Sequence, residues 1–238
     1  MSKISSVIRK FLPVRYCGAV IVAAGSASRM GGIDKVMASL RGQPMIVHTV
    51  SKFQQVDAIR EIVIVTREDL VDEIRDLCKP FDKVRTVVVG GNSRQKSVEA
   101  GLRVLSKSVR LVAVHDGARP LVSLDVIEKT VHAANQYHAA APAIPVKDTI
   151  KMVEKSLVTG TPDRGKLQAV QTPQVFDIDL LRGALKKAET DKAEVTDDCS
   201  AVERMGMSVK IVAGDERNIK ITTPVDLMIA ELFMEDEQ

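Results

Sequence analysis

Arg29 and Lys35 stand in a stretch suited to holding an anion: Ala23-Ala24-Gly25-Ser26-Ala27-Ser28-Arg29-Met30-Gly31-Gly32-Ile33-Asp34-Lys35. Small residues let backbone N–H groups approach phosphate oxygens. Arg grips phosphate with two parallel donors, and Lys adds a mobile point charge. The stretch lacks the G-x-G-x-x-G of dinucleotide sites and the G-x-x-x-x-G-K-[ST] of P-loops. Two cations beside a polyphosphate point instead to charge stabilisation in phosphoryl or nucleotidyl transfer. The competing reading is a tight glycine turn with two solvated cations.

A second cluster is His115-Asp116-Gly117-Ala118-Arg119-Pro120. Asp116 is a natural Mg²⁺ ligand, since that ion typically takes one or two carboxylates plus substrate phosphates. Arg119 would face an anionic substrate, and His115 reads as a packed core histidine. A bare D-x-x-R is equally a structural ion pair. A third cluster, Gly90-Gly91-Asn92-Ser93-Arg94-Gln95-Lys96-Ser97, could read a base through backbone groups and the Ser97 hydroxyl. It is also what a helix N-terminus capped by Ser93 looks like. Lys147-Asp148-Thr149, Arg164 with Gln171-Thr172-Pro173-Gln174, and Asn218-Ile219-Lys220 are polar and strand-linked. Each is a solvated turn in the plainer reading. The histidines at 48, 115, 132 and 138 have no metal-ligand spacing.

These clusters need a frame. Ala19–Ala24, Ile62–Val65, Val87–Val89 and Leu111–Val114 are short and apolar on both faces, as buried parallel strands are. Between them Met45–Val56, Leu70–Leu77 and Val98–Leu105 carry helical spacing, and another helix follows Ser123 to about Tyr137. The alternation predicts an α/β fold with a doubly wound, mostly parallel sheet. The first three clusters then fall at strand carboxyl ends, where open α/β sheets bind ligands. Residues from about 145 to 168 read as an extended β-arm, with turn formers at 159–165 and a returning strand over Gln168–Phe176. Such a hairpin is marginal alone, so a second subunit is expected to cover it. A helix over Asp197–Met205, strands at Val209–Val212 and Ile219–Thr222, and a helix over Pro224–Met234 capped by Thr223 complete the pattern. Residues 1–17 are expected to form an extension and 18–238 a single domain.

The 238 residues carry 34 Lys and Arg against 31 Asp and Glu, a net charge of only +3. That is too little to argue for nucleic acid. Aromatics are 3% and Trp is absent, which disfavours stacking on single-stranded bases. Cys17, Cys78 and Cys199 are far apart and form no C-x-x-C pair, which excludes a disulfide framework or structural zinc site. A reducing compartment, the cytoplasm, is expected. The longest apolar run, Cys17–Ala24, is too short to span a membrane.

Taken in order, these segments resemble the 2-C-methyl-D-erythritol 4-phosphate cytidylyltransferase family. The marks are Ala23-Ala24-Gly25 with Arg29-Met30-Gly31, Gly90-Gly91 with Arg94 and Ser97, His115-Asp116-Gly117-Ala118-Arg119-Pro120, Pro145-Val146-Lys147-Asp148-Thr149, Gln171-Thr172-Pro173-Gln174, Thr196-Asp197-Asp198 and Asn218-Ile219-Lys220. The resemblance runs from about Gly18 to Leu232. It implies a Rossmann-like nucleotidyltransferase fold and a reaction of CTP with methylerythritol phosphate, supported by Mg²⁺ or another divalent cation. By similarity Arg29, Lys35, Arg164 and Lys220 would be catalytic and Asp116 would hold the metal. Ala23, Ala24, Gly25, Gly91, Asn92 and Ser97 would surround the nucleotide. Arg119, Thr149, Arg164, Thr172, Thr196 and Lys220 would grip the acceptor. The arm would cross a homodimer, so Thr149 and Arg164 would serve the partner's site. Family members often carry Pro before the loop lysine and Gln after it; here Lys35 sits between Asp34 and Val36. The rival expectations are a cytidylyltransferase for another polyol phosphate, such as ribitol 5-phosphate, and a catalytically silent nucleotide binder.

Overall fold

The computed structural model describes residues 15–25 and 34–235. The chain runs β1 (Cys17–Val22), a small hairpin β2 (Ser39–Leu40) and β3 (Gln43–Pro44), α1 (Met45–Gln55), β4 (Ile59–Thr66), α2 (Val71–Leu77) and β5 (Val84–Val89). It continues through α3 (Arg94–Val104), β6 (Leu111–Asp116), α4 (Leu124–Tyr137), β7 (Ala139–Pro145), β8 (Met152–Glu154) and β9 (Leu157–Gly160). After these come β10 (Gln168–Val170), β11 (Gln174–Asp177), α5 (Ile178–Thr190), α6 (Asp198–Glu203), β12 (Lys210–Ala213) and α7 (Pro224–Glu235).

β6, β1, β4 and β5 lie side by side and parallel. β11 joins β6 antiparallel and continues the sheet to β7, which also pairs with β10 antiparallel and β12 parallel. The sheet is therefore mixed and mostly parallel. β1 opens at Cys17, the last residue assigned to the expected extension, and Arg15 already pairs with Asp177 at 2.8 Å.

Alternation along β1 shows why both faces need cover. Ala19 and Ile21 point into one core with Ile46, Val50 and Phe53 of α1, Ile74 of α2 and Ile127 of α4. Val20 points into the other with Val98 and Leu102 of α3, Leu181 and Leu185 of α5 and Val202 of α6. Successive strand side chains face opposite ways, so a run apolar at every position must be covered twice. The doubly wound expectation holds.

Three local expectations change. Ile219–Thr222 forms no strand; Ile221 drops into a satellite core with Ala38, Leu40, Met45, Ala118 and Ala230. Its apolar-polar alternation reflects one anchored side chain rather than ladder pairing. The single returning strand expected over Gln168–Phe176 is two, broken around a cis Thr172–Pro173 bond. The long helix α5 and the β2–β3 hairpin are additions. The arm does contain a hairpin, β8 with β9. Met152, Val153, Leu157 and Val158 on it are all more than half exposed.

Candidate active site

A cleft of about 480 Å³ opens where the loops after β1, β5 and β6 converge. Val22 to Gly25, Gly91 to Arg94, Ser97 and Asp116 line it, with Lys35, Arg67 and Lys220 on its walls. The loops after β1 and β5 touch because Gly90 has no side chain. A Cβ there would sit 2.6 Å from the Ala24 Cβ and 2.7 Å from Ser97 Oγ.

Each wall is built locally. Ser93 caps α3, its side chain accepting from Lys96 N. Ser97 Oγ accepts from Gly91 N at 3.2 Å and donates to Ser93 O at 2.9 Å, which fixes the loop against the first turn of α3. Lys35 sits in a turn anchored to α1. That helix begins after Pro44 with no side-chain cap. Its Met45 and Ile46 N–H groups donate instead to the carbonyls of Ala38 and Val36. Lys220 is placed by its neighbours: Ile221 N donates to Ala118 O at 2.8 Å and the Ile221 side chain is fully buried.

Asp116 is the electrostatic centre. Its Oδ2 lies 2.9 Å from Lys220 Nζ and 3.5 Å from Arg119 Nε, and its Oδ1 lies 3.7 Å from Arg94 Nε. Burial pushes the carboxyl up. Lys220, Arg94 and Arg119 outweigh this and hold it well below the usual carboxylate range. Arg94 continues to Asp198, at 2.7 Å, on the first turn of α6. That helix is capped from the neighbouring strand: Gln174 Oε1 accepts from Asp198 N and Cys199 N.

Behind Asp116 a short network fixes its backbone. Asp116 N donates to Thr172 Oγ1 at 3.1 Å, leaving that hydroxyl to donate to His115 Nδ1 at 3.0 Å. His115 Nε2 then donates to Arg119 O at 3.2 Å. A neutral imidazole satisfies every bond. Burial pushes His115 down to about 4. An unfolded chain takes up that proton nearer 6.5, so folding stability falls as pH drops from 6.5 to 4. The full loss is roughly 3 kcal/mol. His115→Gln, whose amide can still donate to Arg119 O, should lose most of this slope in urea midpoints between pH 7 and pH 4.5. An unchanged slope would show that other groups carry it.

Of the residues read from sequence, Ala23, Ala24, Gly25, Lys35, Gly91, Asn92, Ser97, Asp116 and Lys220 converge on the cleft. Arg29 lies outside the described residues. Arg119 does not open into the cleft; it turns to Asp116 and donates to Asn218 O at 2.6 Å. Thr172 is buried behind Asp116. Thr149, Thr196 and Arg164 are exposed and do not line the cleft, and Arg164 donates to Lys147 O at 2.6 Å. Arg67 and Arg94 were not expected as site residues, yet both line it.

A carboxylate ringed by cations, facing Ala23–Gly25 and Gly91–Arg94 at the carboxyl ends of parallel strands, is the arrangement of a nucleotide-binding α/β protein. Residues 17–236 match the family of 2-C-methyl-D-erythritol 4-phosphate cytidylyltransferase, IspD. A relative of that name from Caldanaerobacter subterraneus subsp. tengcongensis is 45% identical over 221 residues, covering 91% of this chain and 97% of the relative. One from Halalkalibacterium halodurans is 44% identical over 222 residues, covering 92% and 97%. The 4-diphosphocytidyl-2C-methyl-D-erythritol synthase structure from Anaerococcus prevotii superposes with a TM-score of 0.85 at 32% identity, covering 94% of this chain and all of that one. The Thermus thermophilus enzyme gives 0.76 at 29% identity, covering 93% and 99%. The chain belongs to the IspD family and is a cytidylyltransferase. Among the described residues no helix is long and apolar enough to cross a membrane.

Proposed function

We propose that this chain transfers CMP from CTP to 2-C-methyl-D-erythritol 4-phosphate in the cytoplasm, as a homodimer whose arms exchange. A phosphate oxygen of the acceptor attacks the α-phosphorus of CTP in line. One P–O bond forms, the α–β bridge breaks, and pyrophosphate leaves with the electron pair. No covalent enzyme intermediate is needed. The observation that carries the reading is Asp116, held ionised among Lys220, Arg94 and Arg119 at the mouth of the β1 loop.

On this reading the residues take the following roles. Ala23, Ala24, Gly25, Gly91, Asn92 and Ser97 take the cytidine, through backbone groups that the Ser97 hydroxyl holds in place. Lys35 and Arg29 meet the triphosphate, where charge grows on the leaving group. Lys220 lies next to Asp116 and is 43% exposed, free to swing between the carboxylate and the incoming phosphate. With Arg164 it aims the acceptor, and such positioning is a large part of catalysis when the protein does no covalent chemistry. Thr172 acts from behind, by holding Asp116 and His115. Arg119 neutralises Asp116 and steadies the Asn218–Lys220 segment. Thr149, Thr196 and Arg164 complete the acceptor pocket, with Thr149 and Arg164 contributed by the partner's arm.

The donor set fits a Mg²⁺ ion of the kind bound by one carboxylate plus substrate phosphates. No group of three or more acidic, His or Cys side chains gathers among the described residues, so most ligands would come from CTP. Asp116 would hold the ion, which would supply charge stabilisation to the phosphates.

The test is pyrophosphate release with Mg²⁺ and each nucleoside triphosphate, with methylerythritol phosphate or ribitol 5-phosphate as acceptor. Release only with CTP and methylerythritol phosphate is expected. Release with ribitol phosphate instead would overturn the acceptor, and silence throughout would favour a non-catalytic binder.

A further inference from the structure

We propose that Arg67 is a positioning residue for the triphosphate loop: it neutralises Asp34, so that the phosphates meet Lys35 without a carboxylate charge beside it. The proposal rests on the CTP-binding reading above. Asp34 immediately precedes Lys35, and its side chain is 14% exposed. One carboxylate oxygen shapes the turn, Oδ1 accepting from Val36 N at 3.0 Å. The Asp34 carbonyl accepts from Met37 N at 3.1 Å in the same turn. Short polar side chains make such turns whether charged or neutral, since Asn does so as readily as Asp. The turn therefore needs the oxygen and not the charge.

The charge would hinder a triphosphate site. It would repel the incoming phosphates and compete with them for the Lys35 ammonium. Arg67 removes it. The residue follows β4, the strand beside β1, and its Nη1 pairs with Asp34 Oδ2. The opposite edge of the guanidinium is fixed by a fork on Asp69, Nε to Oδ1 at 3.1 Å and Nη2 to Oδ2 at 2.9 Å. A planar donor pinned on one edge offers a preorganised second edge. Arg67 also lines the cleft beside Lys35 and Val36. It links the β1 loop to β4, a connection that neither segment reveals by itself.

The experiment compares CTP affinity, by calorimetry, and steady-state constants for the full chain with Arg67→Ala, Asp34→Asn and the double variant. Arg67→Ala is expected to weaken CTP binding and raise its KM about tenfold, with kcat changed by less than about threefold. Asp34→Asn keeps the turn acceptor and should bind CTP like the wild type. The double variant should return to within about threefold of wild type, a coupling that independent sites would not show. Arg67→Gln, closer in size to arginine, is run alongside and carries the same expectation as the alanine variant. Wild-type CTP affinity in both Arg67 variants would overturn the proposal. So would a double variant as weak as Arg67→Ala, because the loss would then be structural. Wild-type protein that binds no CTP would overturn the functional reading instead.

Discussion

Replacing Asp116 by Asn is expected to lower turnover by about a thousandfold, at the upper end for loss of one electrostatic group in an active site. The reason is its number of partners. Asp116 is 8% exposed and faces Lys220, Arg119 and Arg94 within 4 Å. Asn keeps the shape and removes the charge that organises three cations. Lys220 would then be driven toward solvent or clamped on the substrate phosphates, and the candidate metal ligand would be lost. Stability should suffer less than activity. Breaking a buried ion pair costs about 3–5 kcal/mol, but Lys220 is 43% exposed and Arg94 keeps Asp198. Water and Asp198 therefore absorb part of the loss. The check is kcat by pyrophosphate release beside a thermal melt. Turnover within about tenfold of wild type would remove Asp116 from the reaction.

Strands β1, β4 and β6 were legible because each contains a short apolar run without a polar break, Ala19–Val22, Ile62–Val65 and Leu111–Val114, a pattern that a doubly covered sheet imposes. Helix α1 was legible from spacing alone, and α3 and α4 from spacing and the serines before them: Ser93 and Ser123 accept from Lys96 and Val126 as N-cap serines do. The signal for α5 is equally present. Asp177 caps it, and Ile178, Leu181, Ala184, Leu185 and Ala188 fall on one buried face. It is absent from the sequence-based expectation although its period is clear. Ile219–Thr222 is the opposite case. Its alternation is real, but a satellite core under α7 produces it.

The site divides in the same way. Residues within one segment, such as Asp116 or Gly91 with Ser97, announce themselves by local chemistry. Arg67 does not, because a lone arginine after a strand has no local signature, and Arg94, although part of the Gly90–Ser97 cluster, carries no local cue to its carboxylate partners. Their meaning lies in partners distant in sequence: Asp34 for one, Asp116 and Asp198 for the other. Strand order brings Arg67 to Asp34, since β4 lies beside β1, while Arg94 reaches Asp116 and Asp198 from the first turn of α3. The converse case has the same source. Thr172 and Arg119 read as substrate contacts from their motifs, yet the fold turns both toward Asp116.

The exposed arm leads to the other large expected effect. Arg164 stands outside the cleft of its own chain, and the hairpin beyond it exposes Met152, Val153, Leu157 and Val158. If the arm serves a partner's cleft, each site takes Lys35 from one chain and Arg164 from the other. Lys35→Ala and Arg164→Ala homodimers are then each expected to be nearly inactive, losing roughly a hundredfold or more in turnover. Mixed by co-expression, half of the dimers carry one chain of each kind. In such a dimer one site bears both substitutions and the other bears neither. The mixture should therefore recover about a quarter of wild-type activity, a value set by symmetry and not by how damaging either change is. Recovery must also vanish when both substitutions are placed on one chain and paired with themselves. A mixture no more active than its parents would mean that each site is built from a single chain. Arg164 would then have to reach its own cleft by a movement of the arm, breaking its bond to Lys147 O.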